Sequence, residues 1–206
     1  MNNAYKSLLV VISLFPLTFP SAYADVDIWA ESYRLETLTR YEDAAKVLSP
    51  MLGKKRENEF AMLRHGWLNY LRGNHNDAID DYKTALGINA KSLDARLGVM
   101  LPLLAQQRWR EAVKFAQEAL EIAPWNYYAH VRLMIAEEGQ RQWQTLAQHA
   151  QQVHLRYPSD ATVLVYLARA NRWLGNNDKS KQAYELVLQR VPGHIEAQQF
   201  VEGVVK

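Results

Sequence analysis

Glu59-Phe-Ala-Met-Leu-Arg-His-Gly66-Trp-Leu-Asn-Tyr70-Leu-Arg-Gly73-Asn-His-Asn-Asp77-Ala78-Ile-Asp-Asp-Tyr82-Lys-Thr-Ala85-Leu86 is the stretch that decides the fold. Its apolar residues recur at helical spacing over Glu59 to Leu71 and again over Asn76 to Ile88, with Gly73-Asn74 between them. Those two residues tolerate a left-handed turn, so the stretch predicts two antiparallel helices and a tight connection. Gly66, Ala78 and Ala85 are small enough to let the helix backbones approach closely, and Tyr82 and Leu86 fill the space beside them.

Outward from this hairpin the chain repeats. Pro124, Pro158 and Pro192 are spaced by 34 residues, with Ala90 one step earlier in the same phase. Ala44, Ala78 and Ala112 keep the same interval, as do Ala61, Ala95 and Ala129, Trp109 and Trp143, and Ala85 and Ala119. Each proline stops the second helix of its unit, because its nitrogen cannot donate and its ring clashes with the preceding turn. A period of 34 points to a helical-hairpin solenoid, in which one hairpin cannot bury its apolar face alone and stacks on its neighbours. Units near 25–58, 59–92, 93–126, 127–160 and 161–194 make one domain of residues 25–206, closed by a cap at 195–206. In that cap Ala197, Phe200, Val201 and Val204 form an apolar stripe, and Glu196, Gln199 and Glu202 are expected to face solvent.

The residues just quoted resemble the tetratricopeptide repeat family, and the resemblance runs over about residues 25–192. It implies an all-α, right-handed superhelical solenoid. The third and fifth units match through Trp109, Glu111, Ala112, Ala119, Leu120 and Pro124, and through Leu164, Leu167, Ala168, Gly175, Tyr184, Leu188 and Pro192. The fourth departs, with Met134 and Leu146 at places usually small and Glu137 in place of an aromatic; its hairpin is expected to be splayed or shifted by a residue. The first is weak in its first helix, where Glu31 and Arg34 take normally buried phases.

The 206 residues are 49% hydrophobic, and Lys+Arg 24 against Asp+Glu 22 give a formal charge of +2. That balance lacks the dense positive field of a nucleic-acid binder, and acids interrupt the group Arg108, Arg110, Lys114. Cysteine is absent, which removes disulfide scaffolds, thiolate nucleophiles and thiolate zinc sites. Residues 1–24 read as a secretory signal peptide: Lys6, an apolar run from Leu8 to Phe19, and small residues at Ala22 and Ala24 that set cleavage between Ala24 and Asp25. The alternative is a retained anchor helix, but the run is shorter than the roughly 20 residues that span a bilayer, and Pro16 interrupts it. The address is export, with the periplasm as the expected destination and no stable membrane span after processing.

No Gly-rich phosphate loop, HExxH or GxSxG occurs, and no cofactor or metal is expected. His149 and His154, five residues apart, diverge by about 140° on a helix and read as surface residues. Glu137-Glu138, Asp80-Asp81 and Glu57 to Glu59 read as solvated carboxylates. A non-enzymatic role is therefore expected, and the family resemblance implies where it resides: the first helix of each unit lines a concave groove. The implied groove residues are Trp29 and Tyr33; Phe60, Arg64, Trp67 and Tyr70; Asp94, Leu97 and Leu101; Tyr128, Arg132, Ile135 and Glu138; and Tyr166, Arg169, Arg172 and Trp173. Rings bury area at small entropic cost and guanidinium forks grip carboxylates, so this composition suits a partner peptide or helix. Leu97, Leu101, Ile135 and Trp67 are equally compatible with packing between hairpins. The carboxylate clamp known in some members needs a lysine and an asparagine where Trp29 with Tyr33, or Leu63 with Trp67, stand, so the resemblance implies an apolar or aromatic partner segment, and an envelope or outer-membrane assembly component is the expected partner.

Pro102 inside a first helix, with Gly98 four residues before it, suggests a bend that re-angles the groove, or a kink that packing tolerates. Two other readings stay open: an enzyme or ligand-binding protein using His130 with Glu137 or Glu138, and self-association of solenoids.

Overall fold

The computed structural model describes residues 27–52 and 58–203; the expected signal segment, its cleavage point at Ala24 and Asp25, and Val204 lie outside them. The regular elements of the described residues are all helices: α1 Ile28–Thr37, α2 Tyr41–Lys46 and a 3-10 turn Ser49–Leu52, then α3 Glu59–Leu71, α4 His75–Ile88, α5 Leu93–Ala105, α6 Trp109–Ile122, α7 Tyr127–Gly139, α8 Trp143–Arg156, α9 Ala161–Trp173, α10 Asn177–Arg190 and α11 Ile195–Val201. Each helix packs on the one before and the one after, and α3 on α5, α5 on α7 and α7 on α9, so the first helices form one continuous layer. None of the described helices is long and apolar enough to cross a membrane.

Local chemistry recurs every 34 residues. The side chains of Asn58, Ser92, Asn126, Asp160 and His194 each accept the backbone N–H three residues ahead, satisfying an open donor at the start of α3, α5, α7, α9 and α11. At the hairpin turns Thr39, Gly73, Gln107, Arg141 and Gly175 all take positive φ, from 57° to 79°. Glycine accepts this freely; the other three hold a conformation that costs an L-residue about 1 kcal/mol.

Hairpin closeness follows the residues where paired helices cross. Ser32 and Ala44, Gly66 and Ala78, Met100 and Ala112, Met134 and Leu146, and Ala168 and Ser180 occupy equivalent, buried places. Hydroxyls mark the small crossings at both ends: Ser32 Oγ donates to the Ala44 carbonyl at 3.0 Å, and Ser180 Oγ to the Ala168 carbonyl at 2.9 Å. The bulkiest pair, Met134 and Leu146, stands in the fourth hairpin, where α7 and α8 lie close over fewer residues than α3 with α4, α5 with α6, or α9 with α10. The fourth hairpin is therefore splayed and keeps its phase.

Two sequence expectations change, those for the first unit and for Gly98. The first unit is short in its second helix: α2 ends at Lys46 because Pro50 has no N–H for the Lys46 carbonyl, and Ser49 Oγ donates to that oxygen instead, at 2.6 Å. Helix α5 passes through Pro102 without interruption. Gly98 serves close packing, since a Cβ there would fall 2.2 Å from the Tyr82 ring.

Candidate functional site

The first hairpin is tied to the second by a buried arginine. Arg64 of α3 is 5% exposed; its Nη1 pairs with Glu36, its Nε donates to Ser32 Oγ at 3.2 Å, and its guanidinium lies 3.9 Å from the Tyr33 ring centroid. Trp67 Nε1 donates to the other Glu36 oxygen at 2.8 Å, so both oxygens are occupied. The expectation that Arg64 offers its charge to a ligand is corrected: a guanidinium buried between helices must be neutralised, and Glu36 does it.

Above this tie opens a cavity of about 690 Å³, lined by Tyr33, Glu36, Thr37, Tyr41, Phe60, Leu63, Arg64, Trp67, Leu71 and Asp94. It brings together five residues expected in the groove, Tyr33, Phe60, Arg64, Trp67 and Asp94, beside a wall of rings and leucines. Trp29 packs on Phe60, with ring centroids 4.8 Å apart, and Tyr70 on Trp67 at 5.7 Å. Asp94, from the first turn of α5, forms no hydrogen bond or ion pair with the described residues and is exposed.

Further along, the other arginines also answer to this chain's own acceptors. Arg132 Nη1 donates to the Leu97 carbonyl at 2.5 Å, and burial lowers its affinity for its proton while neighbouring Tyr82, Tyr70 and Tyr128 oppose this. Arg169 reaches Glu196 at 2.6 Å and Glu138 at 3.4 Å, and Arg172 lies 5.5 Å from the Phe200 ring centroid. Glu196, expected in solvent, instead ties α11 to α9 and accepts from Tyr184 Oη at 2.5 Å; burial pushes its carboxyl up, but Arg169 and Tyr184 outweigh that and hold it below its usual range. Burial of Glu138 raises its carboxyl against the pull of Arg169. A second cavity of about 320 Å³ lies beside Val165, Tyr166, Arg169, Val191 and His194, where burial pushes the Tyr166 hydroxyl up to about 12. Leu97, Leu101 and Ile135 are half-buried, as packing between hairpins requires. Tyr128 is exposed, and Trp173, also exposed, stacks on Trp143 with centroids 5.2 Å apart and planes at 7°.

Sequence reasoning missed a polar chain in the splayed hairpin. His130 Nε2 donates to the Pro124 carbonyl at 3.0 Å, which leaves Nδ1 to accept from His149 Nε2 at 2.9 Å. His149 Nδ1 in turn meets Glu137 Oε2 at 2.9 Å. The network assigns these tautomers. His149 and Glu137 are therefore not surface groups: Glu137 is 5% exposed, and a separation of 12 positions sets them on facing helices. Asp81 is likewise buried, accepting from Asn69 at 2.8 Å and meeting His65 Nδ1 at 2.7 Å. Both ring nitrogens of His130 are engaged, and Glu137 Oε2 is held by His149, so these groups bond to one another across the hairpin. Among the described residues no group of three or more His, Asp or Glu is placed to hold a metal ion.

Residues 162–194 match the tetratricopeptide repeat family model. No curated protein sequence matches the chain. Solved structures share its fold at low sequence identity. The tetratricopeptide-repeat protein YrrB, described as having an unusual peptide-binding site, superposes with a TM-score of 0.71 at 14% identity, covering 84% of this chain and 90% of that one. A thermophilic tetratricopeptide-repeat protein of Thermus thermophilus gives 0.63 at 14% identity, over 86% and 97%. MamA from Desulfovibrio magneticus RS-1 gives 0.70 at 17% identity, over 82% and 95%.

Proposed function

With the tetratricopeptide-repeat solenoid as its fold, we propose that this protein is a non-enzymatic binding module that docks a segment of a partner protein along its layer of first helices. The observation that carries this reading is the open cavity of about 690 Å³ walled by Tyr33, Tyr41, Phe60 and Trp67. Rings of this kind release ordered water over a large area when covered and lose little side-chain entropy in doing so. That YrrB, a structural neighbour, is described as having a peptide-binding site supports reading this solenoid as a peptide-binding one. The inward-directed His130, His149 and Glu137 argue against the hydrolytic alternative. The signal-like residues 1–24 support export to the periplasm, and with it a partner in the cell envelope.

The test is affinity capture from an envelope extract with the protein beside two variants, Phe60→Ala with Tyr33→Ala, and Leu155→Ala. Phe60 and Tyr33 are about half exposed and Leu155 is 75% exposed, so all three substitutions leave the core intact. A partner retained by Leu155→Ala and lost by the double variant establishes the groove; equal loss or equal retention moves the working surface elsewhere.

A further inference from the structure

We propose that the cavity between the first and second hairpins selects an apolar partner segment carrying a cationic side chain, with arginine preferred, rather than an acidic one. The inference rests on the groove reading above and adds the partner's chemistry to it.

The argument starts from which charges in the cavity are already spent. Glu36 gives one oxygen to Arg64 and the other to Trp67 Nε1, so the pair is neutral and internally bonded. The remaining Arg64 nitrogen, Nη2, has no partner among the described residues, yet it is sealed from solvent, and the Tyr33 ring stacks over the guanidinium. Its charge is therefore not offered to the groove. Asp94 remains, an exposed carboxylate on the cavity rim without a partner among the described residues. The first turn of α5 stabilises this anion without cancelling it, because a helix end carries only about half a unit charge. One uncompensated negative charge thus faces a wall of rings.

That wall has the same sign. The face of an aromatic ring carries the negative part of its quadrupole, so Tyr33, Tyr41, Phe60 and Trp67 favour a cation among them and disfavour a carboxylate. The cavity already holds an example: Arg64 sits 3.9 Å from the Tyr33 centroid. A planar guanidinium can stack on such a ring while its edge donates to Asp94, which an ammonium cannot do as well. Flanking apolar residues would cover Leu63, Leu71 and the ring edges.

Three capped, fluorescein-labelled peptides test this by anisotropy: Leu-Leu-X-Leu-Phe with X as arginine, norleucine or glutamate. The expected order is arginine about tenfold tighter than norleucine, with glutamate weakest. Asp94→Asn should bring the arginine peptide to within about twofold of norleucine while leaving norleucine unchanged, and 0.5 M NaCl should shrink the same preference in the unsubstituted protein. Equal affinity for arginine and norleucine, a glutamate peptide that binds tightest, an arginine preference that survives Asp94→Asn, or no saturable binding of any peptide overturns the inference. The groove reading is judged separately: binding of the norleucine peptide abolished by Phe60→Ala sustains it even when the arginine preference is absent, whereas peptide binding indifferent to Phe60→Ala removes both.

Discussion

The fourth and fifth hairpins are written on one 34-residue template and begin and end at the same phases, yet one is splayed and the other tight. The difference lies where the helices cross. In the fifth, Ala168 meets Ser180, and the serine hydroxyl bonds across to the opposing backbone at 2.9 Å. In the fourth, Met134 and Leu146 fill the same level and hold α7 from α8. Into the widened side pass His130, His149 and Glu137, polar groups that the tight hairpin has no room for. Phase is set by caps and turns, whereas closeness is set by two side-chain volumes, so a repeat varies its shape without losing register.

The most direct way to break this comparison is to give the fifth hairpin the bulk of the fourth. Ala168→Leu should destabilise the protein by about 3 kcal/mol in urea unfolding, because a close-packed crossing has no space for three more carbons. A cost below about 1 kcal/mol would mean that the crossing yields easily and that its volume does not set the splay. Next in size is Glu137→Gln, expected to cost about 2 kcal/mol, since it removes a charged acceptor from a buried hydrogen-bond chain while keeping its shape. A neutral result would show that His149 does not depend on that carboxylate.

Much of this comparison was legible in the sequence. The period survives because small residues recur at most of the tight places, and Met134 and Leu146 signalled the splay by their size alone. The recurring caps Asn58, Ser92, Asn126, Asp160 and His194 were equally visible at their spacing and would have fixed each helix start. Pro50 was visible too, and the early end of α2 follows from its missing N–H. What one-dimensional reading did not supply was pairing between units. Glu36 and Glu138 stand at equivalent places, and both are met by an arginine from the following unit, Arg64 in one case and Arg169 in the other. Those ties depend on how far a guanidinium reaches between stacked helices, which spacing alone does not encode. The histidine chain was hidden too, although it lies within one unit: its members converge only because α7 and α8 stand apart.

Acid sharpens the contrast between the two hairpins at a smaller scale. Burial lowers the proton affinity of His130; His149 adds to this, while the Pro124 carbonyl and Glu137 oppose it. The unfolded chain therefore binds a proton at His130 more readily than the folded one, and this contribution to stability is present above the ordinary histidine range near pH 6.5 and lost as pH falls below it. Protonation also turns His130 Nδ1 into a donor facing the His149 Nε2–H, which breaks the link across the splay. The tie of α9 to α11 behaves differently: Glu196 is held below its usual range, so its contribution lasts to lower pH and goes only as the carboxylate protonates. Urea unfolding at pH 7.5 and 5.5 should show a loss that His130→Gln reduces, the remainder belonging to His154, whose proton affinity burial also lowers; the same loss in both proteins would place the whole titration elsewhere.

The smallest effects belong to the turns, and here the two hairpins differ in the opposite sense. Gly175 closes the fifth at φ +76° with open space around it, and Arg141 closes the fourth at φ +57°. Gly175→Ala should cost about 1 kcal/mol, because a Cβ strains the left-handed backbone even where nothing crowds it. Arg141→Gly releases a similar strain, but it also frees the unfolded chain, and that entropic term of roughly 0.4–1 kcal/mol opposes the gain. The two contributions nearly cancel, so the expected change is within about 0.5 kcal/mol of zero. A gain well above that would show that the fourth turn is strained beyond its φ, and that the splay set by Met134 and Leu146 is partly transmitted to the residues joining α7 to α8. A null result leaves the splay confined to the crossing, with the turn geometry common to both hairpins unaffected by it.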